Sequence, residues 1–338
     1  MHTVRVPRFG APEVLEYLEL PDPVPGPGEV RVRTAAIGVN FADITARMGL
    51  YPDSGKPPFV TGYEFAGTVD VVGEGVTAVA PGDEVIGMRN FGCYADTVVT
   101  SADLLLPRPA RLDAVAAAAF PVTYITAWHA MVYIGNIHRG ERVLIQNAGG
   151  GVGTAAVQIA RHHGAEIYGT ASAGKHDFLR SLGVEHLFDY RTEGWEEELR
   201  ERTGGEGVEM ILNPLGGPGL KRDFELLAHT GRLILFGISS GAPAKKRNLL
   251  RAFVNYLRTP RFSPIRMMIK NRGVAGVHIG HLWHRPDLLA GEFAEMLPLL
   301  QQGVFDPIVD RTFPLAEAAA AHHYIQDRRN RGKVILTP

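Results

Sequence analysis

Cysteine is almost absent: Cys93 is the single one in 338 residues. No intramolecular disulfide framework can form, and such usage fits a reducing compartment. Net charge is almost absent too. The 35 basic and 36 acidic residues leave −1, which offers no general attraction to nucleic acid. The N-terminus, MHTVRVPRFG, has no apolar signal core, and no uninterrupted apolar run approaches the roughly 18 residues of a membrane span. A cytoplasmic protein with no transmembrane segment is therefore expected. No internal repeat or low-complexity tract is evident. What is present is 45% apolar residues in a chain longer than one core usually serves, hence two domains.

Glycine is plentiful where it matters. Residues 146–165 read QNAGGGVGTAAVQIARHHGA. The β-branched run Arg142 to Gln146 predicts a buried strand entering the glycines. Val152, Ala155, Ala156, Ile159 and Ala160 then fall on one stripe of a helix that ends near Gly164. Glu166 to Thr170 predicts a second, parallel strand, so the segment scans as one βαβ unit. At such a strand-to-helix turn Gly150 allows close approach of a pyrophosphate, and Gly153 lets the helix pack on the strand. The helix start, Gly151 and Val152, offers unpaired N–H groups to the phosphates. Ala148, Gly150 and Gly153 form A-x-G-x-x-G, with alanine at the first position of the usual fingerprint.

A carboxylate is missing where an NAD site usually presents one to the ribose, at the end of the second strand. GTASAGKH stands there instead, and Ser172 and Lys175, with Tyr190 from the next strand tip, can all donate to a 2′-phosphate. NADPH is the expected cofactor. Against this stands the plain reading of Lys175 as the first residue of a solvated helix face.

The first ~120 residues carry short alternating runs such as Val30 to Ala35 and Phe65 to Val72, broken by proline-glycine turns. That texture predicts a mostly antiparallel β domain. From Arg142 strands and helices alternate through VEMILNPLG and GRLILFGISSG, as in a doubly wound parallel sheet. The final helix and strand, FPLAEAAAAHHYIQDRRNRGKVILTP, are expected to return to the first domain, with substrate in the cleft between the domains.

GVNFADITARMGLYP, TGYEFAGTV, PGDEVIG, GCYADTVV, AGGGVGTAAVQIARHHGA and GKVIL occur in an order that resembles the medium-chain dehydrogenase/reductase superfamily, in its zinc-free quinone oxidoreductase branch. Within that branch GTASAGKH, NPLGG, KRNLL and GVHIGHL are most similar to the vesicle amine transport protein homologues. The resemblance covers nearly the whole chain. It implies an α/β fold with a GroES-like, mostly β catalytic domain (1–122 and 305–338) and a doubly wound Rossmann domain for NADPH with a parallel sheet (123–304). It also implies a homodimer, for which GRLILFGI is an edge-strand candidate.

Zinc members of the superfamily carry cysteine at the position of Asn40 and histidine at that of Tyr63, and neither amide nor phenol is a normal zinc ligand. Four closely spaced cysteines for a structural zinc are missing too. HIGHLWH spaces His278, His281 and His284 three apart, and its glycine and apolar neighbours point to a loop or pocket wall, so no metal is expected. Loss of a Lewis acid disfavours simple alcohol oxidation, whereas hydride transfer to the β-carbon of a quinone, enone or enoyl acceptor remains feasible. The resemblance places Asn40, Asp43 and Tyr51 at the nicotinamide end of the site. Tyr51 is the candidate donor or proton relay, with solvent as the alternative proton source, and Asn40 the orienting group; Asn40 and Asp43 as a plain helix cap is the competing reading. Thr126, Phe236, Gly237, Ile238, Ser239 and Lys333 match positions beside the cofactor. Asn213 departs from the aspartate more usual there. Cys93 is expected to be a small buried residue.

Acid is missing from a final stretch. Residues 245–272 contain Lys245, Lys246, Arg247, Arg251, Arg258, Arg261, Arg266, Lys270 and Arg272 and no Asp or Glu. Leu249, Leu250, Phe253, Val254 and Leu257 make an apolar stripe at helical spacing there. A solvated or dimer face, peripheral contact with anionic lipid or an anionic substrate, and another protein all stand as readings. The second functional class is accordingly an NADPH-binding adaptor that docks on membranes or proteins with little turnover.

Overall fold

A computed structural model describes every residue except Pro52, Pro243, Ala244 and Lys246, so the Lys246 assignment above lies outside the described residues. The chain divides into two compact units, Met1–Ile125 with Ala244–Arg247 and Gly280–Pro338, and Thr126–Pro243 with Asn248–Ile279.

In the first unit a sheet runs in the order Val309–Pro314, Lys333–Thr337, Glu29–Val39, Glu64–Val72, Glu84–Met88, Leu105–Pro107, with Thr97–Ser101 also pairing to Glu29–Val39. All pairs except the first are antiparallel. Period-two alternation explains the long strand Glu29–Val39. Val30 and Val32 are buried, while Arg31 and Arg33 point outward and share Asp70 at 2.8 and 2.9 Å. The last strand, Lys333–Thr337, sets Val334 opposite Val39 and so carries Lys333 to the loop that follows that strand. Sequence reading placed residues 280–304 with the cofactor domain. They cluster instead with the first unit, because Phe293 of the helix Pro286–Gln301 packs on Phe120 at 6.0 Å and Arg111 Nε donates to the Leu300 carbonyl at 2.6 Å.

Among the described residues one helical stretch, Ala114–Ile134, is long and apolar enough to cross a membrane, which the sequence reading had not recognised. Most of it is buried inside the protein, and the Thr123 hydroxyl that interrupts it donates to the Ala119 carbonyl at 2.6 Å. It is a core element by this packing.

The second unit holds a six-stranded, wholly parallel sheet in the order His186–Asp189, Glu166–Ala171, Arg142–Ile145, Val208–Asn213, Leu227–Leu235, Gly273–Gly276. Strand order reverses at Arg142–Ile145, the switch point where such sheets present ligand-binding loops at their C-terminal ends. Val143, Leu144 and Ile145 are fully buried there, as the β-branched run requires. The sheet's two edges are His186–Asp189 and Gly273–Gly276. GRLILFGI is therefore not an edge, since Leu227–Leu235 pairs on both sides.

Candidate active site

In the first unit the site grows from four consecutive residues, Thr61, Gly62, Tyr63 and Glu64. Thr61 Oγ1 and the Gly62 N–H both donate to Asp43 Oδ1, at 2.8 and 2.9 Å. Gly62 sits at φ +100°, and a Cβ there would meet the Tyr94 ring at 2.6 Å, so only glycine fits. The other Asp43 oxygen accepts from the Asn40 N–H at 2.7 Å and the Tyr94 hydroxyl at 3.3 Å. Asp43 is thus a fully buried carboxylate that reaches back over the start of the helix Phe41–Arg47, the reciprocal half of a capping box. Burial pushes its carboxyl up to about 6 against the pull of these donors.

Glu64 is fully buried as well. Its Oε2 accepts from the Val122 N–H at 2.7 Å, and its Oε1 takes Lys333 Nζ at 2.5 Å and Asn40 Nδ2 at 2.8 Å. Lys333 Nζ also donates to Asn40 Oδ1 at 2.6 Å. The Asn40 amide is held at both ends by a buried ion pair, which locks its orientation. Asn40, Asp43 and Lys333 are thereby brought together, and Glu64, which sequence reasoning passed over, joins them. A lone carboxylate inside the apolar strand GYEFAGTV was the available signal, because such a charge needs a partner.

Tyr51 belongs to a different cluster. Its ring lies 6.1 Å from Tyr63 and 6.4 Å from Phe91, and Phe91 in turn packs on Tyr63 at 4.9 Å and Phe59 at 5.6 Å. Burial pushes the Tyr51 phenol up to about 12 and the Tyr63 phenol far higher. Both stay protonated at neutral pH and can only donate or share a proton, never act as phenolates.

The donor set does not suit zinc. Asn40 Oδ1 and Glu64 are engaged with the Lys333 ammonium, and Tyr63 is a neutral phenol. Cys93 is fully buried with its thiol pushed up by burial, as a packing residue should be.

In the second unit the glycine turn joins Arg142–Ile145 to the helix Gly151–His162, with Gly150 as its N-cap. Asn147 takes φ +57° and the Gly150 N–H donates to its carbonyl at 3.0 Å. A Cβ on Gly153 would strike the Asn147 and Ala148 carbonyls at 2.5 Å, so the helix packs against the turn only with glycine there. The Ala148 methyl is tolerated because Gly169 lies across from it: a Cβ on Gly169 would come within 3.2 Å. Lys175 lays its stem over Gly149, where a Cβ would lie 2.9 Å from Lys175 Cδ. The turn, the helix start with Val152, and the Lys175 stem thus lie together at the C-terminal end of Arg142–Ile145.

One carboxylate does stand near Ser172 and Lys175. Asp189, at the end of the next strand, accepts from the Ala173 N–H at 3.0 Å. Arg191 grips it with two bonds, at 3.0 and 2.7 Å, and lies 5.9 Å from the centre of the exposed Tyr190 ring. These hydrogen bonds hold the Asp189 carboxyl well below the usual range. Sequence reasoning took Tyr190 from this strand tip and passed over Asp189 and Arg191 on either side of it.

Asn213 explains its own departure from aspartate. Its Nδ2 donates to the buried Asp223 carboxylate at 2.6 Å, while its Oδ1 accepts from the Leu215 and Gly216 N–H groups at 2.7 and 2.8 Å. An aspartate there would face another carboxylate. The loop Phe236–Ser239 is zipped to this turn: the Phe236 N–H donates to Asn213 O at 3.0 Å and the Ser239 N–H to Pro214 O at 3.1 Å. Gly237 is required because a Cβ would lie 2.7 Å from Pro214 O, and Ile238 is left exposed beside it. Thr126 is buried in the helix Pro121–Trp128.

Several of the basic residues are already paired. Glu225 takes Arg266, Lys270 at 2.9 Å and Arg272 at 3.7 Å. The helix Leu249–Arg258 nevertheless leaves Leu250, Phe253 and Leu257 exposed, at 73, 57 and 63%. His281 binds Asp53 at 2.9 Å.

Residues 26–110 match the alcohol dehydrogenase GroES-like domain family, and residues 182–336 the zinc-binding dehydrogenase family. The human synaptic vesicle membrane protein VAT-1 homolog is 35% identical over 317 residues, covering 94% of this chain and 80% of the relative. Among solved structures, a mycobacterial protein complexed with NADPH aligns with TM-score 0.88 and 30% identity over all of both chains. A mycobacterial quinone oxidoreductase aligns at 0.83 and 31%, also over all of both. CurK enoyl reductase aligns at 0.86 and 30% over 99% of this chain and 98% of its own. The chain belongs to the medium-chain dehydrogenase/reductase superfamily, in the subgroup of VAT-1 homologues, and is an oxidoreductase built on a nicotinamide-cofactor fold.

Proposed function

We propose that this oxidoreductase uses NADPH, without zinc, to reduce a quinone or an α,β-unsaturated carbonyl compound. The observation that carries the reading is the Lys333 ammonium seated between Asn40 Oδ1 and Glu64 Oε1, which leaves positions 40 and 63 without a metal-ligand set. Likeness to a quinone oxidoreductase and an enoyl reductase supports the acceptor class.

Gly150, Gly151, Val152 and Gly153 would hold the pyrophosphate, and Ser172, Lys175 and Tyr190 the 2′-phosphate, with Arg191 neutralising Asp189 beside them. Ala148, Thr126, Phe236, Gly237, Ile238 and Ser239 would complete the cofactor's surroundings. NADPH supplies a hydride when bound. Tyr51, protonated throughout the neutral range, donates a hydrogen bond to the acceptor's carbonyl oxygen as negative charge develops on it. Asn40 orients the reacting groups from its clamp between Glu64 and Lys333, and Asp43 holds the helix start that presents it.

Steady-state NADPH oxidation with a panel of naphthoquinones, enones and enoyl thioesters, with and without a metal chelator, tests the proposal. Turnover that the chelator leaves unchanged is expected; no turnover with any acceptor, or its loss to the chelator, counts against it. We place a homodimer contact at the sheet edge Gly273–Gly276, which light scattering on a Val274→Pro variant checks. The exposed apolar face of Leu249–Arg258 favours docking on a membrane or protein as the second reading. Co-sedimentation with anionic vesicles, together with tight NADPH binding and negligible turnover, would favour that reading instead.

A further inference from the structure

Three neighbouring strands of the second unit end in polar side chains that never reach solvent. Gln146 follows Arg142–Ile145, Thr170 lies near the end of Glu166–Ala171, and Asn213 closes Val208–Asn213; all three are buried. Buried polar groups need partners, and these find one another. The Asn147 N–H donates to Thr170 Oγ1 at 3.1 Å, and the Thr170 hydroxyl donates to Gln146 Oε1 at 2.7 Å. Gln146 Nε2 then donates to both carboxylate oxygens of Asp223, at 3.1 and 3.2 Å. A second line arrives from the opposite side. The Leu215 and Gly216 N–H groups donate to Asn213 Oδ1, and Asn213 Nδ2 donates to Asp223 Oδ2 at 2.6 Å.

Both lines end on Asp223, a fully buried residue of the helix Gly219–Glu225. Arg222 Nε adds a further bond to its Oδ1 at 3.0 Å. An ionised carboxylate only accepts, so it can close donor chains that converge from several directions. An amide in its place would turn an N–H toward one of the incoming donors and leave that donor unpaired. The carboxylate missing at position 213 is thus supplied by position 223.

The two lines start at the two sides of the sheet's switch point. Asn147 shapes the glycine turn, whereas Leu215 and Gly216 belong to the turn on which the loop 236–239 is zipped. A dinucleotide straddles such a switch point. Its adenosine half then lies toward Ser172 and Lys175, beyond Glu166–Ala171, and its other half toward Asn213, since Val208–Asn213 flanks Arg142–Ile145 on the opposite side.

We propose that Asp223 is a positioning residue that holds the glycine turn and the 213–217 turn at one spacing, so that both halves of NADPH are gripped together. This rests on the cofactor reading above. Asp223 touches no part of the cofactor; it acts through Gln146 and Thr170 on one side and Asn213 on the other. A ligand confined to the adenosine side does not depend on that spacing, whereas the whole dinucleotide does.

Calorimetric titration of Asp223→Asn with NADPH and with adenosine 2′,5′-bisphosphate, below its unfolding temperature, is the test. Kd for NADPH should rise about tenfold or more, and Kd for the bisphosphate by less than about threefold. The exchange Asn213→Asp with Asp223→Asn restores one acceptor-only group between the same donors, so it should bring the NADPH Kd back to within about threefold of wild type. Thr170→Val keeps the side-chain shape, leaves Asp223 intact and cuts the line to the glycine turn; it too should weaken NADPH about tenfold, and it serves if Asp223→Asn does not fold. An unchanged NADPH Kd in Asp223→Asn or Thr170→Val, equal losses for the two ligands in Asp223→Asn, or no recovery in the exchange would overturn the proposal while the cofactor reading stands. A wild type that binds no NADPH would overturn both.

Discussion

Replacing Lys333 by methionine keeps the length of the side chain and removes the charge that neutralises Glu64. In the wild type Glu64 Oε1 has the ammonium at 2.5 Å, and both residues are buried. After the substitution the carboxylate keeps only the Asn40 amide and the Val122 N–H. Breaking a buried pair from one side costs about 3–5 kcal/mol, because the remaining charge stays in the protein without a counterion. With about 2–4 °C lost per kcal/mol in a domain of 150–250 residues, the apparent Tm should fall by roughly 6–20 °C. Removing both charges, as Glu64→Gln with Lys333→Met, should recover most of that loss, since the isolated charge is gone. Circular dichroism melts of the four proteins complete the cycle. A single-variant cost below about 1 kcal/mol, the range of exposed ion pairs, would refute the claim that this pair organises the site.

Asn213→Asp would set a carboxylate against Asp223, which burial already pushes up, in place of the 2.6 Å hydrogen bond, so it should destabilise by about 3 kcal/mol at neutral pH and recover as acidification lets the pair share one proton; urea titrations at neutral and acidic pH check this. Asp43 has a folded pKa of about 6 against 3.8 for the free side chain, so the contribution of its protonated form is present below about pH 4 and is lost as pH rises through 6, on the order of 3 kcal/mol. The stability advantage of wild type over Asp43→Asn should therefore shrink by that amount between about pH 4 and 7 in denaturant titrations. Because burial holds the Tyr51 phenol at about 12, kcat should show no ionisation near 10, the free phenol's value; a fall in kcat centred there would contradict a protonated Tyr51 donor.

The parallel sheet and its glycine turn were legible because they depend on local rules: period and run length mark the strands, and a steric need for glycine at Gly153 marks the turn. The place of helix Pro286–Gln301 was not legible, because it depends on Phe120 and Arg111, which are distant in sequence. The same holds for the site. Asn40 and Asp43 could be named from one segment, but the residue that fixes the Asn40 amide comes from position 333, through a strand pairing between the chain's two ends. Glu64 carried a signal, a lone carboxylate in an apolar run, but its partner Lys333 comes from the far end of the chain. The Asp189 and Arg191 pair lies one strand beyond the position where fingerprint reasoning looks for charge.

The most direct measurement is the ratio of kcat/KM for NADPH to that for NADH with one naphthoquinone, in the wild type and in Lys175→Ala. A charge-assisted contact to the 2′-phosphate is worth about 1.5–3 kcal/mol, so the wild type should favour NADPH by roughly ten- to a hundredfold and the variant should lose most of that preference. A wild type that favours NADH, or a preference unchanged by Lys175→Ala, would contradict the account.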